Sequence, residues 1–176
     1  MPSTRRTLLV SAGTALAVTA VSAPAKAASH PEVEALVLRA AQAHEALMRG
    51  DVARYRSLIT TTDDFTLMAP FGGKPTRGAD LSEERWASVG RFFRNGRDAT
   101  LELVHAYRSI DMVVLAVIER AHVEVGGLEG QDWALRVTLV FRKEQDQWRL
   151  AHRHADPLVD GISLEQAASI ARRRSA

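Results

Sequence analysis

The stretch Trp133–Asp156, WALRVTLVFRKEQDQWRLAHRHAD, alternates apolar and polar residues on both sides of Gln145-Asp146. Trp133, Leu135, Val137, Leu139 and Phe141 take every second place before that pair. Trp148, Leu150, His152, His154 and Asp156 take every second place after it. A period of two marks a strand with one covered face, and two such runs around a polar pair read as a hairpin. With the turn at Gln145-Asp146, Trp148 is expected opposite Lys143, His152 opposite Leu139 and His154 opposite Val137. Working upstream, Leu101, Leu103, His105 and Tyr107 alternate with polar residues, Met112–Ile118 is nearly all apolar, and alternation resumes from Glu119 to Val125. A turn near Leu128 places Glu119 opposite Val137 and Trp133 opposite Val123. Four strands on short turns predict an antiparallel sheet. Glu119, Val137 and His154 then share one row, the outer backbones about 10 Å apart at two strand spacings.

The first half of the chain has helical spacing. Ser29-His30-Pro31-Glu32 reads as a capping box with proline in the first turn. Val33, Leu36, Val37, Ala40, His44, Leu47 and Met48 follow on one face, and Gly50 ends the helix. Asp51 caps a second, shorter helix. Asp64–Pro70 reads as a short strand and Phe71-Gly72-Gly73-Lys74-Pro75 as a loop. Asp80-Leu81-Ser82-Glu83 opens a third helix carrying Trp86, Val89, Phe92 and Phe93, with Asn95-Gly96 as its stop. Ser163-Leu164-Glu165-Gln166 caps a final helix before the basic tail Arg172–Arg174. Three helices, a sheet and a terminal helix make one α+β domain.

Composition narrows the function classes. The chain of 176 residues is 46% hydrophobic and 25% charged and has no cysteine, which excludes disulfides, thiolate metal sites and cysteine nucleophiles. Its pI of about 9.4 is misleading. Residues 1–27 hold Arg5, Arg6 and Lys26 and no acid; taking those three from the 23 Lys and Arg leaves 20 against 21 Asp and Glu. No nucleic-acid footprint remains. Arg5-Arg6, the uncharged run Leu8–Ala23 and Ala25-Lys26-Ala27 have the parts of a cleaved secretory signal, and the arginine pair resembles the twin-arginine export signal. The run is too short and too mildly hydrophobic for an anchor. The expectation is a signal peptide over 1–27 and an exported mature domain over 28–176, in the periplasm or outside the cell, with no membrane span after cleavage.

The order of elements, with Trp148-Arg149-Leu150-Ala151-His152-Arg153-His154 closing the last long strand, resembles the SnoaL-like branch of the nuclear-transport-factor-2-like superfamily. The likeness covers about residues 30–160. It implies a curved antiparallel sheet, a cone wrapped on the N-terminal helices, with a deep pocket and a symmetric dimer through the outer sheet face. That face would include Arg136, Thr138 and Val140, with Ala151 opposite. The group includes isomerases, cyclases and dehydratases. The isomerase pattern of a tyrosine donor and two aspartates is not found here, where the tyrosines are Tyr55 and Tyr107.

Candidate site residues follow from the alternation. His154 is a candidate proton mover, Asp156 its orienting partner and Glu119 a second acid or base. His152, Trp133, Trp148, Phe71 and Trp86 are candidates to bind substrate, or else to serve packing. Glu119 interrupts an apolar run and is either a base with a raised pKa or one member of an ion pair with Arg136 or Arg142. His152 and His154 on one strand would suit a metal, but the family likeness argues for none, and no cofactor is expected. His44 reads as a satisfied core or edge histidine. No phosphate-binding glycine loop, serine-nucleophile elbow or zinc-protease helix occurs. Two readings result: a cofactor-independent isomerase, cyclase or dehydratase acting on a small apolar carbonyl compound, or a non-catalytic ligand-binding or dimeric scaffold protein.

Overall fold

The computed structural model describes residues 30–172; the expected export signal, Ser29 and the end of the basic tail lie outside the described residues. The chain runs through helices α1 (Pro31–Met48) and α2 (Val52–Leu58), strands β1 (Thr61–Met68) and β2 (Thr76–Arg77), and helix α3 (Glu83–Phe92). The long strands β3 (Phe93–Arg108), β4 (Met112–Val125), β5 (Gln131–Glu144) and β6 (Gln147–Pro157) follow, then helix α4 (Leu164–Ala171). No described helix is long and apolar enough to cross a membrane.

Local chemistry sets most boundaries. His30 caps α1, its Nδ1 accepting from the Glu32 amide at 3.3 Å, one residue later than the expected serine cap. Asp51 caps α2 and Ser82 caps α3. Ser163 and Gln166 form the expected capping box on α4. Asn95-Gly96 does not stop α3: the helix ends at Phe92, and both residues lie inside β3, with Asn95 at a φ of 55°. The turn after α1 requires glycine. Gly50 has a φ of 78°, and a Cβ there would stand 2.6 Å from the carbonyl oxygens of Gly90 and Phe93.

The six strands lie in the order β2-β1-β6-β5-β4-β3. The four long strands pair antiparallel, as expected, while β1 joins β6 in parallel, so the sheet is mixed. Parallel pairing needs a long crossover, supplied here by everything between β1 and β6. One face is covered by α1. Leu36, Ala40 and Ala43 of that helix meet Val113, Leu115 and Val117 of β4, Leu135, Val137, Leu139 and Phe141 of β5, and Leu150 and Ala155 of β6.

The register departs from expectation in two ways. The β4–β5 pairing is shifted by two residues, with Glu119 opposite Leu135 and Trp133 opposite Ala121. An even shift keeps every side chain on its expected face. The β5–β6 hairpin starts as expected, with Gln145 and Asp146 at φ of 48° and 60° and Trp148 opposite Lys143. Beyond Leu150 it slips by one: His152 faces Val140 and His154 faces Thr138. Ala151 is the extra residue of a β-bulge. Leu150 and Arg153 therefore turn toward the helices, and His152, His154 and Asp156 turn to the outer face.

Candidate functional site

The bulge separates the proposed His154, Asp156 and Glu119 set. Glu119 is buried on the inner face, 3% exposed. His154 and Asp156 stand on the outer face, with His154 Nε2 3.5 Å from Asp156 Oδ2 and both side chains 41% to 50% exposed. His152 is also outward, its Nδ1 2.7 Å from Thr66 Oγ1. The expected row of Glu119, Val137 and His154 does not form. His154 and Asp156 instead border an outer cleft of about 380 Å³ with Arg136, Thr138, Ala116 and Ile118.

What gathers around Glu119 is different. Arg153 Nη1 and Nη2 donate to Glu119 Oε1 and Oε2 at 2.9 and 2.8 Å. His44, on the apolar face of α1, places Nδ1 3.4 Å from Glu119 Oε2, while its Nε2 lies 3.0 Å from the Arg120 carbonyl oxygen. Because that oxygen only accepts, Nε2 carries the proton and Nδ1 is the atom free to take or give one. Among the described residues Nδ1 is buried with no hydrogen-bond partner. The three groups and Tyr55 share a cavity of about 20 Å³ walled by Ala40, Leu139, Phe141 and Leu150. That is room for roughly one water molecule.

Electrostatics fixes the charge of the pair. Burial alone would raise the Glu119 pKa, but the charge and hydrogen bonds of Arg153, with His44 beside it, hold it below the usual carboxylate value. Arg153 is pushed down by burial and pulled higher still by Glu119, for a net rise. The expectation of a base with a raised pKa is corrected: Glu119 is an ionised carboxylate held on both oxygens. The alternative partners are corrected too, since Arg136 and Arg142 lie on the other face, Arg142 bonding Asp64. Burial pushes the Tyr55 hydroxyl up, Arg153 opposes that and Glu119 adds to it, with a net rise. Tyr55 is thus a proton donor at neutral pH.

None of the aromatic candidates lines this cavity. Trp86 of α3 packs against Tyr55 with the rings tilted, centroids 5.7 Å apart. Phe71 packs on Phe92 at 5.3 Å and on Trp133 at 5.8 Å, away from the cavity, and stays exposed. Trp148 packs at the margin of the main core, with Lys143 5.8 Å over its ring. Among the described residues no group of three His, Asp or Glu side chains is placed to hold a metal ion.

Arg153, His44 and Tyr55 are the site residues that sequence reasoning missed. His44 gave a signal, as a titratable side chain in the inward stripe of α1. Arg153 gave none, because strict alternation assigns it outward.

The chain belongs to the SnoaL-like domain family, whose model matches residues 37–160. Solved structures share the nuclear transport factor 2-like fold. A protein of that fold from Cytophaga hutchinsonii is 15% identical with a TM-score of 0.58, over 73% of this chain and all of its own. A proposed dehydratase from Streptomyces avermitilis is 24% identical with a TM-score of 0.57, over 73% of this chain and 97% of its own. A proposed calcium/calmodulin-dependent protein kinase type II association domain from Thiobacillus denitrificans is 26% identical with a TM-score of 0.54, over 73% and 95%. No curated protein shows significant similarity to the chain.

Proposed function

We propose that the inner face binds a small, mostly apolar compound through one carbonyl oxygen, and that His44 moves a proton on it. The observation carrying this reading is the Glu119–Arg153 pair inside an apolar wall. An ion pair there costs several kcal/mol of desolvation per ion, and apolar side chains of similar volume would serve stability as well or better. Its retention, beside an unpartnered imidazole nitrogen and a protonated tyrosine, suits a site with an apolar lining and a few convergent polar groups. Tyr55 and the unused N–H groups of Arg153 are donors for an oxygen gaining negative charge. His44 Nδ1 is the base, with Glu119 beside it to stabilise the imidazolium. That division of work suits an isomerase, cyclase or dehydratase that needs no cofactor.

Acetophenone is a suitable probe. Titration calorimetry on the full chain is expected to give saturable binding that His44→Gln and Tyr55→Phe weaken and His154→Gln leaves alone. Binding lost with His154→Gln alone would move the site to the outer cleft and end this reading.

A second reading is a scaffold. The outer face leaves Val114, Ala116, Ile118 and Val140 only half-buried, and the relative described as an association domain supports assembly through this fold. A symmetric dimer through that face is compatible with an inner-face site. Export completes the proposal, resting on Arg5-Arg6 and Ala25-Lys26-Ala27. Exported protein is expected to begin within a residue or two of Ala28, and Arg5→Lys with Arg6→Lys to block export by the twin-arginine route. Recovery of intact Met1 from the exported fraction would refute cleavage.

A further inference from the structure

We infer that helix α3 is a door over the Glu119 cavity, hinged at Gly50 and Gly90 and latched by Arg56 and Glu83, with Trp86 as the side chain that admits or excludes ligand. This rests on the inner-face binding reading and supplies what that reading lacks, since a cavity of about 20 Å³ is too small to admit a carbonyl compound unless it widens.

The two ends of α3 are held by unlike means. At the C-terminal end, backbone meets backbone. A Cβ on Gly50 would stand 2.6 Å from the Gly90 carbonyl oxygen, and a Cβ on Gly90 would stand 3.1 Å from the Gly50 oxygen. The Phe92 carbonyl also accepts from the Gly126 amide at 2.8 Å. That end cannot slide without clash, but it can pivot. The N-terminal end is held more lightly: no residue of α2 or α3 is fully buried, and Leu81, just before α3, is only partly buried against the core. The hydrogen-bonded ion pair there is Arg56 Nη1 to Glu83 Oε2 at 2.8 Å, with side chains 43% and 80% exposed. The Arg56 guanidinium also lies 5.5 Å over the Trp86 ring, and Trp86 lies on Tyr55, which walls the cavity.

An exposed ion pair and a tilted ring stack are weak fastenings. Local opening draws on such low-stability parts of a fold. Swinging the N-terminal end of α3 outward lifts Trp86 off Tyr55 and leaves Tyr55 as the remaining cover. A flat apolar ligand can take the place of the Trp86 ring against Tyr55, where the two rings now lie at 44° with centroids 5.7 Å apart. The site therefore favours flat, mostly apolar molecules bearing one acceptor oxygen.

The test uses the full chain labelled with 5-fluorotryptophan, the Trp86 signal being assigned by its loss in Trp86→Phe. Arg56→Glu and Glu83→Arg each break the latch, and the double variant rebuilds it reversed. Each single variant is expected to increase the exchange contribution to Trp86 relaxation and to speed acetophenone association by about two- to fivefold, the range a surface ion pair carries. The double variant is expected to restore the share of both that the ion pair carries, the contact of Arg56 over the Trp86 ring being lost with Arg56→Glu. Trp86 relaxation unchanged in the single variants would overturn the door, as would association at the wild-type rate in a protein that binds acetophenone. If the wild type binds no acetophenone but Trp86 exchange follows the latch, the door stands and the carbonyl-site reading falls.

Discussion

Arg153 of β6 reaches across β5 to hold both oxygens of Glu119 on β4, at 2.9 and 2.8 Å. Three strands are thereby tied together at one point on the inner face. Removing one partner leaves the other charged and buried. Arg153→Leu is expected to cost about 3–5 kcal/mol in urea denaturation, and Glu119→Leu with Arg153→Leu to recover most of that loss. A single variant as stable as the wild type would mean that the pair is open to solvent.

The same pair sets a pH dependence. The folded pKa of Glu119 lies below its ordinary value of 4.5. Its contribution to stability is then complete above that ordinary value and is lost as the pH falls through the lower folded value. Asp64, held at about 2 by Arg142 and Thr62, acts in the same direction. Unfolding free energy measured from pH 7 to 3 is expected to fall less steeply in Glu119→Gln than in the wild type. Parallel curves would contradict the lowered pKa.

Gly50 gives a prediction independent of the site. A side chain there combines a left-handed backbone with contacts of 2.6 Å to two carbonyl oxygens. Gly50→Ala is expected to destabilise by about 1–3 kcal/mol in thermal or urea unfolding. Gly73 also has a positive φ, of 88°, but with open space around it, so Gly73→Ala is expected to cost less.

Assembly is tested on the outer face. Light scattering at micromolar concentration is expected to give the mass of a dimer, and Ile118→Asp with Val140→Asp to give a monomer with the fold intact by circular dichroism. A monomeric wild type would refute the dimer.

How far the sequence could be read depends on where alternation holds. It holds along β4, so Glu119 was legible as an inward carboxylate even with the pairing displaced by two residues. It fails on β6, where Ala151 is inserted into the ladder. No propensity marks that alanine, and the resulting slip reverses the face of every residue after it. The histidines that looked inward are outward, and Arg153, which looked like solvated surface, is the partner of Glu119. The helix caps at Asp51 and Ser163 were legible because each is a local hydrogen bond between neighbours in sequence. The stop at Asn95-Gly96 was misread because Asn95 takes its left-handed conformation inside a strand that is already irregular there.

The central claim is that ligand meets the His44, Tyr55, Glu119 and Arg153 group and not the outer pair of His154 and Asp156. Histidine-ring correlation spectra of the full chain, recorded while acetophenone is added, test it directly. The account predicts a saturable shift of the His44 ring signals with those of His154 unmoved, each assigned by its His→Gln variant. Saturable movement of His154 with His44 unmoved would contradict it.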